Sequence, residues 1–111
     1  MPALVHAKLG AYLARHEYHI KDAEILDAIT YHTTGRPGMT LLEKIVYIAD
    51  YIEPNRKEIP GLSDIRQIVF TDIDRAVCLS AGSTVRYLKN GGKAVDPMTI
   101  NTYNFYKKKE E

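Results

Sequence analysis

Residues 31–56, YHTTGRPGMTLLEKIVYIADYIEPNR, place a histidine at the edge of a glycine- and proline-broken turn and then an aspartate deep inside an apolar helical run. Thr40 and Glu43 give the T-x-x-E pattern of a capping box in front of LLEKIVYIADYIE, and Pro54 stops that run. On a helical wheel Glu43, Tyr47, Asp50 and Glu53 fall on one side, while Leu41, Leu42, Ile45, Val46, Ile48, Ala49 and Ile52 cover most of the rest. So wide an apolar arc predicts a central helix whose narrow polar strip faces water or a polar cleft.

Outward from this stretch the same helical period continues, and no segment alternates in the manner of a strand. A first helix is expected from Ala3 to His16, with Leu4, Val5, Leu9, Tyr12 and Leu13 as its stripe. Asp22 can cap a second helix that ends near His32, ahead of Gly35 and Pro37. A short helical turn is predicted from Ser63 to Val69, and Thr71 with Asp74 offers a capping arrangement for a long helix ending at Asn90. Asp96 and Pro97 are the N-cap and first residue of a last helix, PMTINTYNFY, whose KKKEE tail reads as too polar to pack. The predicted fold is all-α, a single helical domain over residues 1–111.

Composition supports a packed globular domain. The chain has 111 residues, 45% of them hydrophobic and 26% charged, with a net charge of +1. Both signs are scattered, so there is no basic field for nucleic acid. No apolar run is long enough to span a membrane, and His6 and Lys8 interrupt any signal-peptide core. A lone cysteine, Cys78, sits within a helical apolar pattern and reads as a buried small hydrophobe in a reducing compartment. The cytoplasm is the expected location.

Pattern alone leaves Asp50 with two readings: a solvated carboxylate, or one lining a cavity where a metal, a cation or several donors offset its desolvation. His6 and His32 are candidate partners, because imidazole and carboxylate together suit iron, manganese or zinc better than magnesium. Their spacing forms no local metal motif. His16 and His19 form H-x-x-H, but Arg15, Glu17 and Lys21 around them point to an exposed turn. Arg36, between two glycines, is either an exposed loop arginine or a bidentate phosphate contact, and Asn55 and Arg56 lie just past the Asp50 helix.

HAKLGAYLA at residues 6–14, the 31–56 stretch and TDIDRAV at 71–77 together resemble YqeK-type HD-domain hydrolases. The resemblance runs through nearly the whole chain and matches the C-terminal part of that family's domain. It implies an HD-domain-like helical bundle in which the upstream histidine and the adjacent His-Asp pair are missing; no HD dipeptide occurs in residues 1–111. It further implies a divalent metal pair, commonly iron with manganese or another transition metal as alternatives, and symmetrical hydrolysis of diadenosine tetraphosphate to ADP. By the same resemblance His6, His32 and Asp50 are metal ligands, and Arg36, Asn55 and Arg56 steady the phosphates. Asp50 then interrupts its helix to reach the centre that His32 serves. With its ligands incomplete, the chain alone is expected to be weakly active or inactive. The alternative is a non-catalytic helical module for nucleotide binding or self-association. Expected partners are a dinucleoside polyphosphate or nucleotide, a second copy, or a separate chain that supplies the HD segment.

Overall fold

Helix starts are written in side-chain oxygens. In the computed structural model, which describes residues 11–13, 15–19, 21–52 and 62–110, a helical stretch covers 11–13 and 15–16 and turns off as the Glu17 N–H donates to Leu13 O at 2.8 Å. The remainder of the first expected helix, from Ala3, lies outside the described residues. Five further helices follow: α1 Ala23–Tyr31, α2 Leu41–Tyr51, α3 Leu62–Ile68, α4 Ile73–Asn90 and α5 Pro97–Glu110. No strand occurs among the described residues.

Each cap has a local cause. Asp22 Oδ1 accepts from the Glu24 and Ile25 N–H groups at 2.9 and 3.3 Å, which starts α1 where the sequence predicts it. Thr40 and Glu43 close the predicted capping box on α2. Asp96 Oδ1 accepts from the Met98 N–H at 2.8 Å and starts α5 at Pro97.

At α4 the outcome differs: the cap is Asp72, whose Oδ1 accepts from the Arg75 N–H at 3.0 Å, and the Thr71 hydroxyl donates back to Ile68 O instead. Asp74 is thereby released from capping. It lies 2.6 Å from Lys44 Nζ on α2 and 2.7 Å from Lys109 Nζ on α5, so one carboxylate ties three helices together. The tail also departs from expectation. Helix α5 continues through Lys107, Lys108 and Lys109 to Glu110, with Lys109 on Asp74 and the Lys107 ammonium 5.6 Å above the Tyr103 ring. Opposite charges and an aromatic face supply the packing that apolar residues would otherwise give.

Helix α4 lies at the middle, packed on α5, α2 and α3, while α1 packs on α2. The shared core comprises Met39, Tyr47, Ile48, Tyr51, Leu62, Ile65, Ala76, Val77, Cys78 and Tyr106. Cys78 is buried, as its apolar setting predicts. Gly82 on α4 lets α5 approach closely, since a β-carbon there would meet Tyr103 Cε1 at 2.7 Å.

Helix α2 is central but rotated relative to the wheel reading. Glu43 and Tyr47, placed on the polar strip, are buried, whereas Leu41 and Ile45 of the apolar arc are 62% and 48% exposed. Glu43 can be buried because its charge is matched by Arg36. At the far end of α2 the Arg66 guanidinium of α3 donates to Ile52 O, with Nη2 at 3.3 Å, and satisfies a terminal carbonyl.

Candidate functional site: the turn between α1 and α2

The peptide from His32 to Thr40 joins the end of α1 to the start of α2 and carries two of the six candidate residues, His32 and Arg36. Gly35 and Gly38 adopt φ values of +69° and +68°, which side chains with a β-carbon resist. The Gly35 N–H donates to Tyr31 O at 2.7 Å and closes α1. Helix α5 grips the same turn from behind. The Thr102 hydroxyl lies 3.1 Å from Thr34 O and 2.7 Å from Met98 O, sharing its proton between them, and Tyr106 Oη accepts from the Met39 N–H at 2.9 Å. Burial holds the Tyr106 phenol above its ordinary pKa against the opposing pull of that Met39 bond.

His32 is the C-cap of α1, and its Nδ1 lies 2.7 Å from Ile29 O. A carbonyl accepts only, so Nδ1 carries the proton and the neutral ring keeps its lone pair on Nε2. A backbone carbonyl on the far ring nitrogen is the support that metal-bound histidines commonly have, because it fixes both tautomer and ring plane. His32 therefore fits a metal ligand as it stands. Asp50 lies near the C-terminal end of α2, with its residue exposed to solvent. No group of three or more His, Cys, Asp or Glu side chains converges on a possible metal position among the described residues. His6, Asn55 and Arg56 lie outside them. The donor types of His32 and Asp50 suit a transition metal.

Arg36 is neither a free loop cation nor an exposed one. Its Nε and Nη2 donate to Glu43 Oε2 and Oε1 at 2.7 and 2.6 Å, while its guanidinium carbon stands 5.2 Å over the Tyr31 ring. Asp27 Oδ2 is 3.5 Å from the same Nη2. Side-chain exposure is 31% for Arg36 and 0% for Glu43, so the carboxylate is enclosed and the guanidinium half-enclosed. Burial pushes the Glu43 carboxyl up, but the Arg36 hydrogen bond and the Thr40 backbone N–H outweigh it and hold it below its ordinary value. The same Glu43 hydrogen bond raises Arg36, which stays charged at any accessible pH.

His16 and His19, discounted from the sequence, are indeed exposed: His16 stacks on Tyr12 with ring centroids 4.3 Å apart, and His19 holds a positive φ of 57°. Three participants were missed by sequence reasoning: Glu43 as the partner of Arg36, and Thr102 and Tyr106 as the props of the turn. Glu43 left a usable signal, an acid seven residues beyond an arginine and inside an apolar helix. Thr102 and Tyr106 left none, because contacts across more than sixty residues have no local period.

Comparison with known proteins converges on one group. Residues 2–55 match the HD domain family model, a span that takes in His6, His32, Arg36, Asp50 and Asn55. The chain is 50% identical over 104 residues to the symmetrical bis(5'-nucleosyl)-tetraphosphatase of Bacillus subtilis, covering 94% of this chain and 55% of that protein. It is 41% identical over 110 residues to the enzyme of the same name from Staphylococcus aureus, covering 97% of this chain and 56% of that protein. The crystal structure of a predicted HD superfamily hydrolase involved in NAD metabolism from Clostridium acetobutylicum superposes with a TM-score of 0.86 at 39% identity, over 94% of this chain and 55% of that one. The chain thus spans about half the length of the relatives it matches. Over nearly its whole length the chain is similar in sequence to these symmetrical tetraphosphatases, and its all-helical fold matches that of an HD superfamily hydrolase.

Proposed function

We propose that the chain contributes to a metal-dependent phosphohydrolase that cleaves dinucleoside tetraphosphates symmetrically, with ADP as the product from diadenosine tetraphosphate. The observation that carries this reading is the His32 ring, whose Nδ1–H is held by Ile29 O so that Nε2 is available as a donor. His6, His32 and Asp50 are the proposed metal ligands. A bound metal pair, iron or manganese, supplies Lewis acidity toward phosphate oxygens and an acidified water. The protein's part is positional. His32 offers a lone pair in one fixed tautomer from the end of α1, and Asp50 offers a carboxylate from α2. Asn55 and Arg56 would bind phosphate oxygens just beyond that helix, joined by the Arg36 donor not engaged by Glu43.

Three donors are few for two cations, so weak metal retention and slow turnover by these residues alone form part of the proposal. The cytoplasm is the proposed location. A second copy or a separate chain bearing an HD pair remains the proposed partner, and the exposed Leu41 and Ile45 on α2 favour that reading. Product analysis tests the function. With manganese or ferrous iron and diadenosine tetraphosphate, ADP should form, faster when a separate HD-bearing segment is added, and His32→Ala and Asp50→Ala should stop it. Formation of ATP with AMP, or undiminished ADP formation by His32→Ala, would refute the assignment.

A further inference from the structure

One guanidinium joins the last turn of α1 to the first turn of α2. Arg36 reaches Asp27 and the face of Tyr31 on α1, and makes a two-pronged ion pair with Glu43 on α2. Tyr31 immediately precedes His32, and Glu43 lies two turns before Asp50 on the same helix. We propose that Arg36 and Glu43 are positioning residues: their enclosed ion pair fixes the turn at residues 32–40, and through it the bearing of the His32 ring toward α2. The inference depends on the phosphohydrolase reading only for what His32 binds.

Stability alone does not call for this pair. A charged pair removed from water gains little over two apolar side chains of similar volume, because desolvation offsets the attraction. What a planar fork on a carboxylate adds is direction: two parallel N–H···O bonds allow one orientation, where apolar contacts can slide. Glu43 fixes direction a second time, since its Oε1 also accepts from the Thr40 N–H at 3.3 Å while the Thr40 hydroxyl accepts from the Glu43 N–H at 3.2 Å. Arg36, Thr40 and Glu43 thus make one closed set of bonds around the turn. On its other side the turn is held by Thr102 and Tyr106. The His32 ring has one side-chain hydrogen bond among the described residues, to Ile29 O.

The pair is tested on the metal-free chain and with manganese, comparing wild type with Arg36→Lys, Glu43→Gln and the double variant Arg36→Met/Glu43→Leu. Nitrogen-15 shifts of the imidazole read the His32 tautomer without metal, urea melts read stability, and manganese titration reads affinity. Wild-type His32 should hold its proton on Nδ1. Each single variant should mix the two tautomers and weaken manganese binding by about tenfold. In the double variant no enclosed charge is left unpaired, Asp27 being 41% exposed, so stability should return toward wild type while the mixed tautomer and weak binding persist. A double variant with the wild-type tautomer and affinity would reduce the pair to packing and overturn the proposal. Should the double variant not fold, Arg36→Lys decides by the same two readings, since it keeps the charge and loses the fork. Failure of manganese to reach wild-type His32 would count against the phosphohydrolase reading, while the tautomer result still decides the positioning role.

Discussion

Thr102 occupies the space that a side chain on Gly35 would need. A β-carbon built on Gly35 lies 2.8 Å from Thr102 Cγ2 and 3.2 Å from its Oγ1, and Gly35 itself sits at φ +69°. Thr102 cannot simply rotate away, because its hydroxyl is bonded to Thr34 O and Met98 O. Gly35→Ala should therefore destabilise the fold by about 2–3 kcal/mol, combining left-handed backbone strain with overpacking. In Gly35→Ala/Thr102→Ser the offending methyl is gone and the hydroxyl remains. Urea denaturation should show partial recovery, with the backbone part of the loss still present.

Tyr106 ties α5 to the same turn through the Met39 N–H, and both residues are buried. Tyr106→Phe keeps the ring and orphans a buried donor, at a cost of about 1–2 kcal/mol. A loss under about 0.3 kcal/mol in urea would mean that the Met39 N–H finds another partner.

Removing Arg36 leaves a fully enclosed carboxylate without its counter-charge. Although loop arginines are commonly dispensable, Arg36→Ala should cost roughly 2–4 kcal/mol, the lower part of that range reflecting the partial exposure of Arg36. A phosphate contact with no structural duty predicts almost no change in the melting profile, so thermal denaturation separates the two roles.

Acid should weaken the fold through Glu43 and Asp74. Desolvation raises both carboxyls, but Arg36 and Thr40 in one case, and Lys109 and Lys44 in the other, bring each below its ordinary value, 4.5 for Glu43 and 3.8 for Asp74. A carboxyl depressed in the folded state binds fewer protons there than in the unfolded chain. Its stabilisation is fully present above the ordinary value and disappears as pH falls through the depressed one. Urea midpoints should thus fall below about pH 4.5, and Glu43→Gln should flatten that decline while lowering stability at neutral pH.

The helices were legible because their causes are local. Asp22, the Thr40/Glu43 box and Asp96 before Pro97 each act within four residues, and the structure shows all of them at work. Asp72 was missed as the α4 cap because the T-x-x-D pattern of Thr71 and Asp74 competed one position away; only the tertiary contacts of Asp74 with Lys44 and Lys109 explain why it does not cap. The wheel leaves the strip with Glu43 and Tyr47 open to water or to a polar cleft because it weighs each side chain singly, whereas burial of Glu43 depends on a cation contributed by the preceding turn. At the site, sequence reading put forward His32 and Asp50 but did not reveal the supports of the turn. Those supports come from α5, far along the chain, and obey no repeat.

Paramagnetic broadening tests most directly the claim that His32 and Asp50 serve one metal. Manganese titrated into the isotope-labelled chain should broaden the resonances of His32 and Asp50 together at the lowest additions, leaving His16 and His19 sharp until much higher ones, and magnesium should not protect them. If His32 and Asp50 stayed sharp while His16 and His19 broadened, or if the two responded at widely different manganese concentrations, the shared metal site would be contradicted.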